Sequence, residues 1–169
     1  MKEFDVIIIG GGLAGSSTAL NLSKKGYSEA TDIQEQAIPL ALKGYDILGT
    51  AQTGTGKTCA FAIPILDKLS KVEKSKKDSS KKKTNKMKSP RALVLCPTRE
   101  LAQQVHKSFS DYGKFLDLYH TVIYGGVKQY RQVKSLKNGT DTIVATPGRL
   151  KDLQSQGYAD LSKIEIANK

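Results

Sequence analysis

A glycine-rich octapeptide between an apolar run and a helix-forming run constrains this chain more than any other feature. Ala51-Gln52-Thr53-Gly54-Thr55-Gly56-Lys57-Thr58 follows the spacing G-x-x-x-x-G-K-[ST], with Ala51 in the place of the first glycine. Asp46 to Thr50 before it reads as a strand, and Lys57 to Leu69 after it as a helix. Set there, the loop turns its backbone N–H groups and the positive end of the helix dipole toward one point, a cradle for a polyphosphate. Lys57 reaches the outer phosphates as a point charge, and the Thr58 hydroxyl is the candidate Mg2+ ligand. A turn that merely joins strand to helix would need no Gly-Lys-Thr in this register.

The rest of the chain repeats the alternation that the loop begins. Strands are expected at Ala92 to Cys96, His120 to Tyr124 and Asp141 to Ala145, with helices at Arg99 to Phe115, Lys128 to Lys137 and Pro147 to about Gln156. Upstream, Thr31 and Gln34 have capping-box spacing for a helix that Pro39 should kink or end before Gly44. Apolar strands alternating with helices specify an α/β fold with a parallel, doubly wound sheet. In such a sheet every strand-to-helix loop emerges at the carboxyl edge. Pro97 to Glu100, Gly125-Gly126 and Thr146 to Arg149 should therefore share an edge with the phosphate loop. Thr98 and Thr146 stand at N-cap positions, each opening a helix whose first N–H groups suit an anion. Tyr112, Tyr119, Tyr124 and Tyr130 are expected to pack rather than to stack on bases.

With 169 residues the chain can build one domain with a workable core, and its 27 basic and 16 acidic residues leave a net charge of +11. Most of that charge is local, because residues 71–91 hold ten basic residues against two acidic ones. Residues 71–90, almost without apolar side chains or periodicity, are expected to be a disordered basic insertion with a weak, salt-sensitive attraction for nucleic acid. The apolar run Val6 to Ile9 is too short to span a bilayer, and Met1 to Asp5 has the wrong flanks for a secretory signal. A cytoplasmic protein without membrane attachment is expected. Cys59 and Cys96 have no metal-ligand spacing and suit a reducing compartment as small buried residues.

From Gly26 to about Ile166 the chain resembles the DEAD-box ATP-dependent RNA helicases, whose first domain is RecA-like. Gly26-Tyr27, Thr31-Asp32-Ile33-Gln34 and Ala37-Ile38-Pro39 resemble that family's Q motif, and Ala51 to Thr58 has its version of the phosphate loop. Pro97-Thr98-Arg99-Glu100-Leu101-Ala102, Gly125-Gly126 and Thr146-Pro147-Gly148-Arg149-Leu150 match its next three motifs in order. The resemblance implies that Gln34 reads adenine at N6 and N7 and so selects ATP, since an amide carries both a donor and an acceptor. Completing the capping box with Thr31 is the other reading of Gln34. The resemblance also implies that Pro97, Thr98, Arg99, Gly125, Gly126, Thr146, Pro147, Gly148 and Arg149 grip the backbone of single-stranded RNA, largely independently of base sequence. For Arg99 and Arg149 a plain surface or dipole-screening role is the alternative. The aromatic residue that stacks on adenine in that family has no counterpart among residues 13–26.

Two features depart from this family. The chain contains no Asp-Glu dipeptide, so the carboxylates with which the family holds Mg2+ and orients water are missing, as are its Ser-Ala-Thr motif and second domain. It reads as an incomplete first domain. Phe4 to Gly15, followed by Ala19, instead resembles the opening of FAD-dependent oxidoreductases, with G-x-G-x-x-G at Gly10, Gly12 and Gly15. The second strand of such a site, ending in an acid for the ribose, does not follow. Glu29-Ala30-Thr31-Asp32 leads into the helicase-like part. A fusion or chimera is therefore expected: a Rossmann-like strand, turn and helix over residues 1–25 and a partial RecA-like ATP-binding domain over residues 26–169. The expected function is ATP-linked RNA binding with ATP and Mg2+ as ligands, no retained FAD, and no hydrolysis by the chain alone. An FAD- or NAD-dependent oxidoreductase fragment and a non-catalytic RNA-binding fragment are the alternatives.

Overall fold

The computed structural model describes residues 29–77 and 89–168. The strand, turn and helix expected near the N-terminus, with Gly10, Gly12 and Gly15, and the centre of the basic insertion, residues 78–88, lie outside the described residues. The chain divides into two units, one of Met1–Glu73 with Ser108–Asp117 and one of Lys74–Lys107 with Leu118–Lys169.

The first unit contains α1 (Asp32–Leu42), α2 (Lys57–Lys77) as far as Glu73, and the end of α3 (Arg99–Tyr112). Thr31 is the extended N-cap of α1 and forms the capping box with Gln34. Gly44, at φ 89°, closes the helix by donating its N–H to the Ala41 carbonyl at 3.0 Å. Of the two outcomes expected at Pro39, a kink or an end, it does not end α1, which continues to Leu42. The donor it lacks would have served the carbonyl of Glu35, an exposed residue that water can reach. The expected insertion boundary is also corrected, because α2 runs past Leu69 and takes in residues 71–77. No glycine or proline follows Pro64 in α2, and Lys71 pairs with Asp67 one turn back at 2.6 Å. Cys59, Ala62, Leu66 and Leu69 recur at helical spacing and are buried, and the Phe61 and Phe109 rings stand 6.3 Å apart between centroids.

The strand expected at Asp46 to Thr50 does not form. A strand exists through its ladder with a neighbour, and among the described residues no strand pairs with this segment. Leu48 is left 98% exposed.

The second unit holds a wholly parallel sheet, as expected for an α/β fold. Its strands β1 (Ala92–Leu95), β2 (His120–Ile123), β3 (Thr142–Ala145) and β4 (Ile166–Asn168) lie in the order β2-β3-β1-β4. α4 (Tyr130–Asn138) connects β2 to β3, and α5 (Pro147–Ser155) follows β3. Every residue of β3 is buried, which its place between two neighbours requires. Ile123, Ile143 and Ala145 join Leu136 of α4 and Leu150 and Leu153 of α5 in one apolar cluster. β3 begins one residue later than expected, and just ahead of it the Asp141 carboxylate accepts the Tyr119 N–H at 2.9 Å. At the other edge, Arg91 grips Glu165 with two bonds of 2.8 and 2.9 Å and so holds β4 beside β1.

Leu153→Ala is expected to cost about 2–5 kcal/mol in urea unfolding, as a fully buried side chain in a close-packed cluster. Glu165→Gln should cost under about 1 kcal/mol, because its side chain is 48% exposed. Both ring nitrogens of His120 are shut off from solvent, and burial, aided by the nearby His106, pushes its pKa from 6.5 down to about 4. The unfolded chain therefore takes up this proton first. The contribution of neutral His120 is complete above about pH 6.5 and is lost progressively as the pH falls toward about 4. His120→Gln should flatten that part of the stability profile, measured by urea unfolding at about pH 7 and about pH 4.5.

Candidate functional site

In the first unit, the phosphate loop is held by side chains from the start of α1. The Gln34 side chain, on a residue only 6% exposed, accepts the Thr31 N–H at 3.2 Å and donates from Nε2 to the Gly56 carbonyl at 3.2 Å. The Thr31 hydroxyl donates to the Thr55 carbonyl at 2.8 Å. Thr31 thus reaches the loop itself, a role its capping spacing did not reveal. Gly54 and Gly56 both take φ 84°, which only glycine adopts without strain. At Gly56 there is a second constraint, because a Cβ would overlap the Gln34 amide; at Gly54 nothing lies within 4 Å.

Lys57 is folded back on the loop. Its ammonium donates to the carbonyls of Ala51 and Gln52, the latter at 3.0 Å, and the Thr55 hydroxyl also donates to Gln52 at 2.8 Å. The positive charge therefore sits within the loop expected to cradle phosphate. Thr53 and Gly54 form its exposed tip, and Thr58 is half-buried in the first turn of α2. The first helical bond runs from the Ala60 N–H to the Gly56 carbonyl at 3.1 Å, so the N–H groups ahead of it have no acceptor within the helix. The buried Cys59 thiol is pushed up to about 11 by desolvation and Cys96 is raised by the same cause, so neither is a thiolate nucleophile near neutral pH.

In the second unit, the aligned ends of three parallel strands set three loops at one edge, since Leu95, Ala145 and Ile123 lie in one row. Pro97, Thr98 and Arg99 follow β1, Gly125 and Gly126 follow β2, and Thr146, Pro147, Gly148 and Arg149 follow β3. Thr98 caps α3 as expected, its hydroxyl accepting the Leu101 N–H at 3.2 Å. Thr146 occupies the N-cap of α5 without a side-chain bond to it, and Pro147 opens the helix. Arg99 bonds Glu100 at 3.2 Å, and its Nη1 would lie 3.3 Å from a Cβ on Gly126. The Glu100 carboxyl is held below its ordinary value by its own backbone N–H and by Arg99.

Arg149 has structural partners within this group. It donates to the Val127 carbonyl at 3.2 Å and to the Gln129 side chain at 3.3 Å, tying α5 to the loop after Gly126. Gln103 and Gln132 complete the network, donating to the Tyr124 hydroxyl and carbonyl at 2.8 and 3.0 Å. No motif marked these glutamines. The expectation that four tyrosines pack holds for buried Tyr112 and fails for Tyr119 and Tyr130, which face solvent, Tyr130 by 72%. Tyr119 precedes β2 and Tyr130 opens α4.

Gly56→Ala is expected to dislodge Gln34 and abolish binding of inorganic triphosphate by calorimetry. Gly54→Ala should cost only the backbone strain, about 1–2 kcal/mol in thermal unfolding, and keep most of the binding.

A DEAD/DEAH box helicase family model matches residues 31–167. The chain is 39% identical over 149 residues to the ATP-dependent RNA helicase DBP2 of Encephalitozoon cuniculi, covering 88% of this chain and 28% of that protein. It is 42% identical over 145 residues to the ATP-dependent RNA helicase DeaD of Buchnera aphidicola subsp. Schizaphis graminum, covering 85% of this chain and 22% of that one. The crystal structure of a hypothetical ATP-dependent RNA helicase from Sulfolobus tokodaii matches with a TM-score of 0.74 and 36% identity, over 90% of this chain and 40% of that one. The chain thus spans 22% to 28% of the length of the two curated relatives. Its motifs, its parallel sheet and these matches agree, and the chain belongs to the DEAD/DEAH box helicase family, corresponding to a fragment of the N-terminal RecA-like domain.

Proposed function

We propose that this chain is the ATP- and RNA-binding part of a DEAD-box RNA helicase, and that these residues by themselves neither hydrolyse ATP nor unwind RNA. Mg-ATP is taken at Ala51 to Thr58 with Gln34, and single-stranded RNA at Pro97 to Arg99, Gly125-Gly126 and Thr146 to Arg149, without base preference. The observation that carries the reading is the insertion of Gln34 against the phosphate loop. An amide offers two donors and two lone pairs, and Gln34 uses one of each on Gly56 and Thr31. One donor and one lone pair remain, the pair that an adenine edge requires. A polyphosphate fits the loop if Lys57 exchanges the two loop carbonyls for phosphate oxygens.

Thr58 is the residue that would hold Mg2+, an ion that would neutralise phosphate charge when bound. Among the described residues no group of three acidic, histidine or cysteine side chains could hold a metal, so the ion would arrive with the nucleotide. Hydrolysis further needs a carboxylate, an oriented water and a cationic group on the developing charge. The lack of an Asp-Glu pair supports binding without turnover.

Residues 1–25 are read as a fused Rossmann-like segment ahead of the helicase-like residues 26–169. A first turn alone cradles a pyrophosphate but supplies no ribose acid or ring pocket, so the segment retains no flavin and the purified protein is expected to be colourless. Two buried, unpaired cysteines favour the cytoplasm. Lys57→Ala should weaken ATP binding in calorimetry while phosphate release stays negligible in both proteins. RNA-stimulated phosphate release that Lys57→Ala abolishes would overturn the reading of an inactive chain.

A further inference from the structure

A second surface lies beside the three edge loops, within the same unit. A cavity of about 480 Å3 opens between α4 and the turn after α5 and is lined by Tyr130, Val133, Lys134, Lys137 and Tyr158, with Gln129 at one end and Asn138 at the other. Tyr130 is 72% and Tyr158 38% exposed, so two aromatic rings stand at the rim of a concave surface. Lys137 Nζ lies 5.4 Å from the centre of the Tyr158 ring, which sets a positive charge on the same platform. No carboxylate lines the cavity.

We propose that this cavity is an additional contact for single-stranded RNA, in which Tyr130 and Tyr158 stack on bases while Lys134 and Lys137 neutralise phosphates. The inference rests on the RNA-binding reading above and extends it to residues outside the matched motifs. Exposed aromatic rings beside lysines are the two elements that bind single strands without sequence preference. An acidic peptide would use the lysines and leave both rings idle, so RNA accounts for more of the surface. Continuity supports the same occupant. Gln129 bonds Arg149 at 3.3 Å and lies three residues beyond Gly126, so the cavity begins where the network of the edge loops ends. RNA leaving those loops would meet Tyr130 first.

The test measures binding of fluorescent oligouridines of about 6 and about 20 nucleotides to the full chain. Tyr130→Ala with Tyr158→Ala should weaken the longer RNA about tenfold and leave the shorter one unchanged. Tyr130→Phe should retain binding. Lys134→Gln with Lys137→Gln should lower the slope of log affinity against log salt by about 1.4 for the longer RNA. Arg99→Ala, by contrast, should weaken both lengths. If the tyrosine and lysine variants bind the longer RNA as the parent does while Arg99→Ala binds it less, this inference falls alone. If the parent chain binds neither RNA, both readings fall. Polyglutamate that binds the parent and loses affinity in the lysine variant, while neither the lysine nor the tyrosine variant changes binding of the longer RNA, would assign the surface to an acidic protein and overturn the proposal. Should a variant unfold by circular dichroism, 4-thiouridine cross-linking of the parent decides: adducts on Tyr130 or Tyr158 support the site, and adducts confined to other residues overturn it.

Discussion

Parallel pairing of β3 with β1 on one side and β2 on the other brings Leu95, Ala145 and Ile123 into one row. Parallel strands cannot be joined by a short hairpin, so each must be followed by a crossover, and here the crossovers are helices. Three strand ends in register then deliver Thr98, Gly125 and Thr146 to one edge. The candidate RNA-binding loops owe their juxtaposition to this pairing and to the apolar cluster that seats α4 and α5 against the sheet.

Loops at such an edge carry backbone carbonyls that no ladder satisfies. In this chain long polar side chains meet them. Arg149 serves Val127 and Gln132 serves Tyr124, each from a helix anchored in the core. The loops are thereby held on rigid elements, which is what recognition of a sugar–phosphate backbone by fixed donors needs. The same use of Arg149 limits what it offers RNA, since its guanidinium already has three oxygen partners.

The phosphate loop follows a different logic. It is not extended from a paired strand in this structure, and its shape comes from α1, through Gln34 on Gly56 and Thr31 on Thr55. Lys57, drawn to the carbonyls of Ala51 and Gln52, supplies the internal positive charge that a polyphosphate would otherwise find waiting. Binding would exchange one set of oxygens for another around the same ammonium.

Much of this was legible from residues alone, because local patterns have local causes. Gly-Lys-Thr shortly after Gly54 and a threonine three residues before a glutamine dictate a loop and a cap without reference to distant residues, and apolar runs of four or five residues mark candidate strands. Whatever depends on a distant partner was not legible. Asp46 to Thr50 has the composition of a strand and forms none, since no strand among the described residues pairs with it. Lys71 to Lys77 reads as the start of a solvated insertion, yet it continues a helix that begins upstream at Lys57. The bonds from Gln34 to Gly56, Gln132 to Tyr124 and Arg149 to Val127 span 8 to 22 residues. The sequence by itself determined the α/β class and which residues are candidates for the chemistry. Only the tertiary structure decided which of them meet, because hydrogen bonds and burial act on proximity in space, which the order of residues does not state.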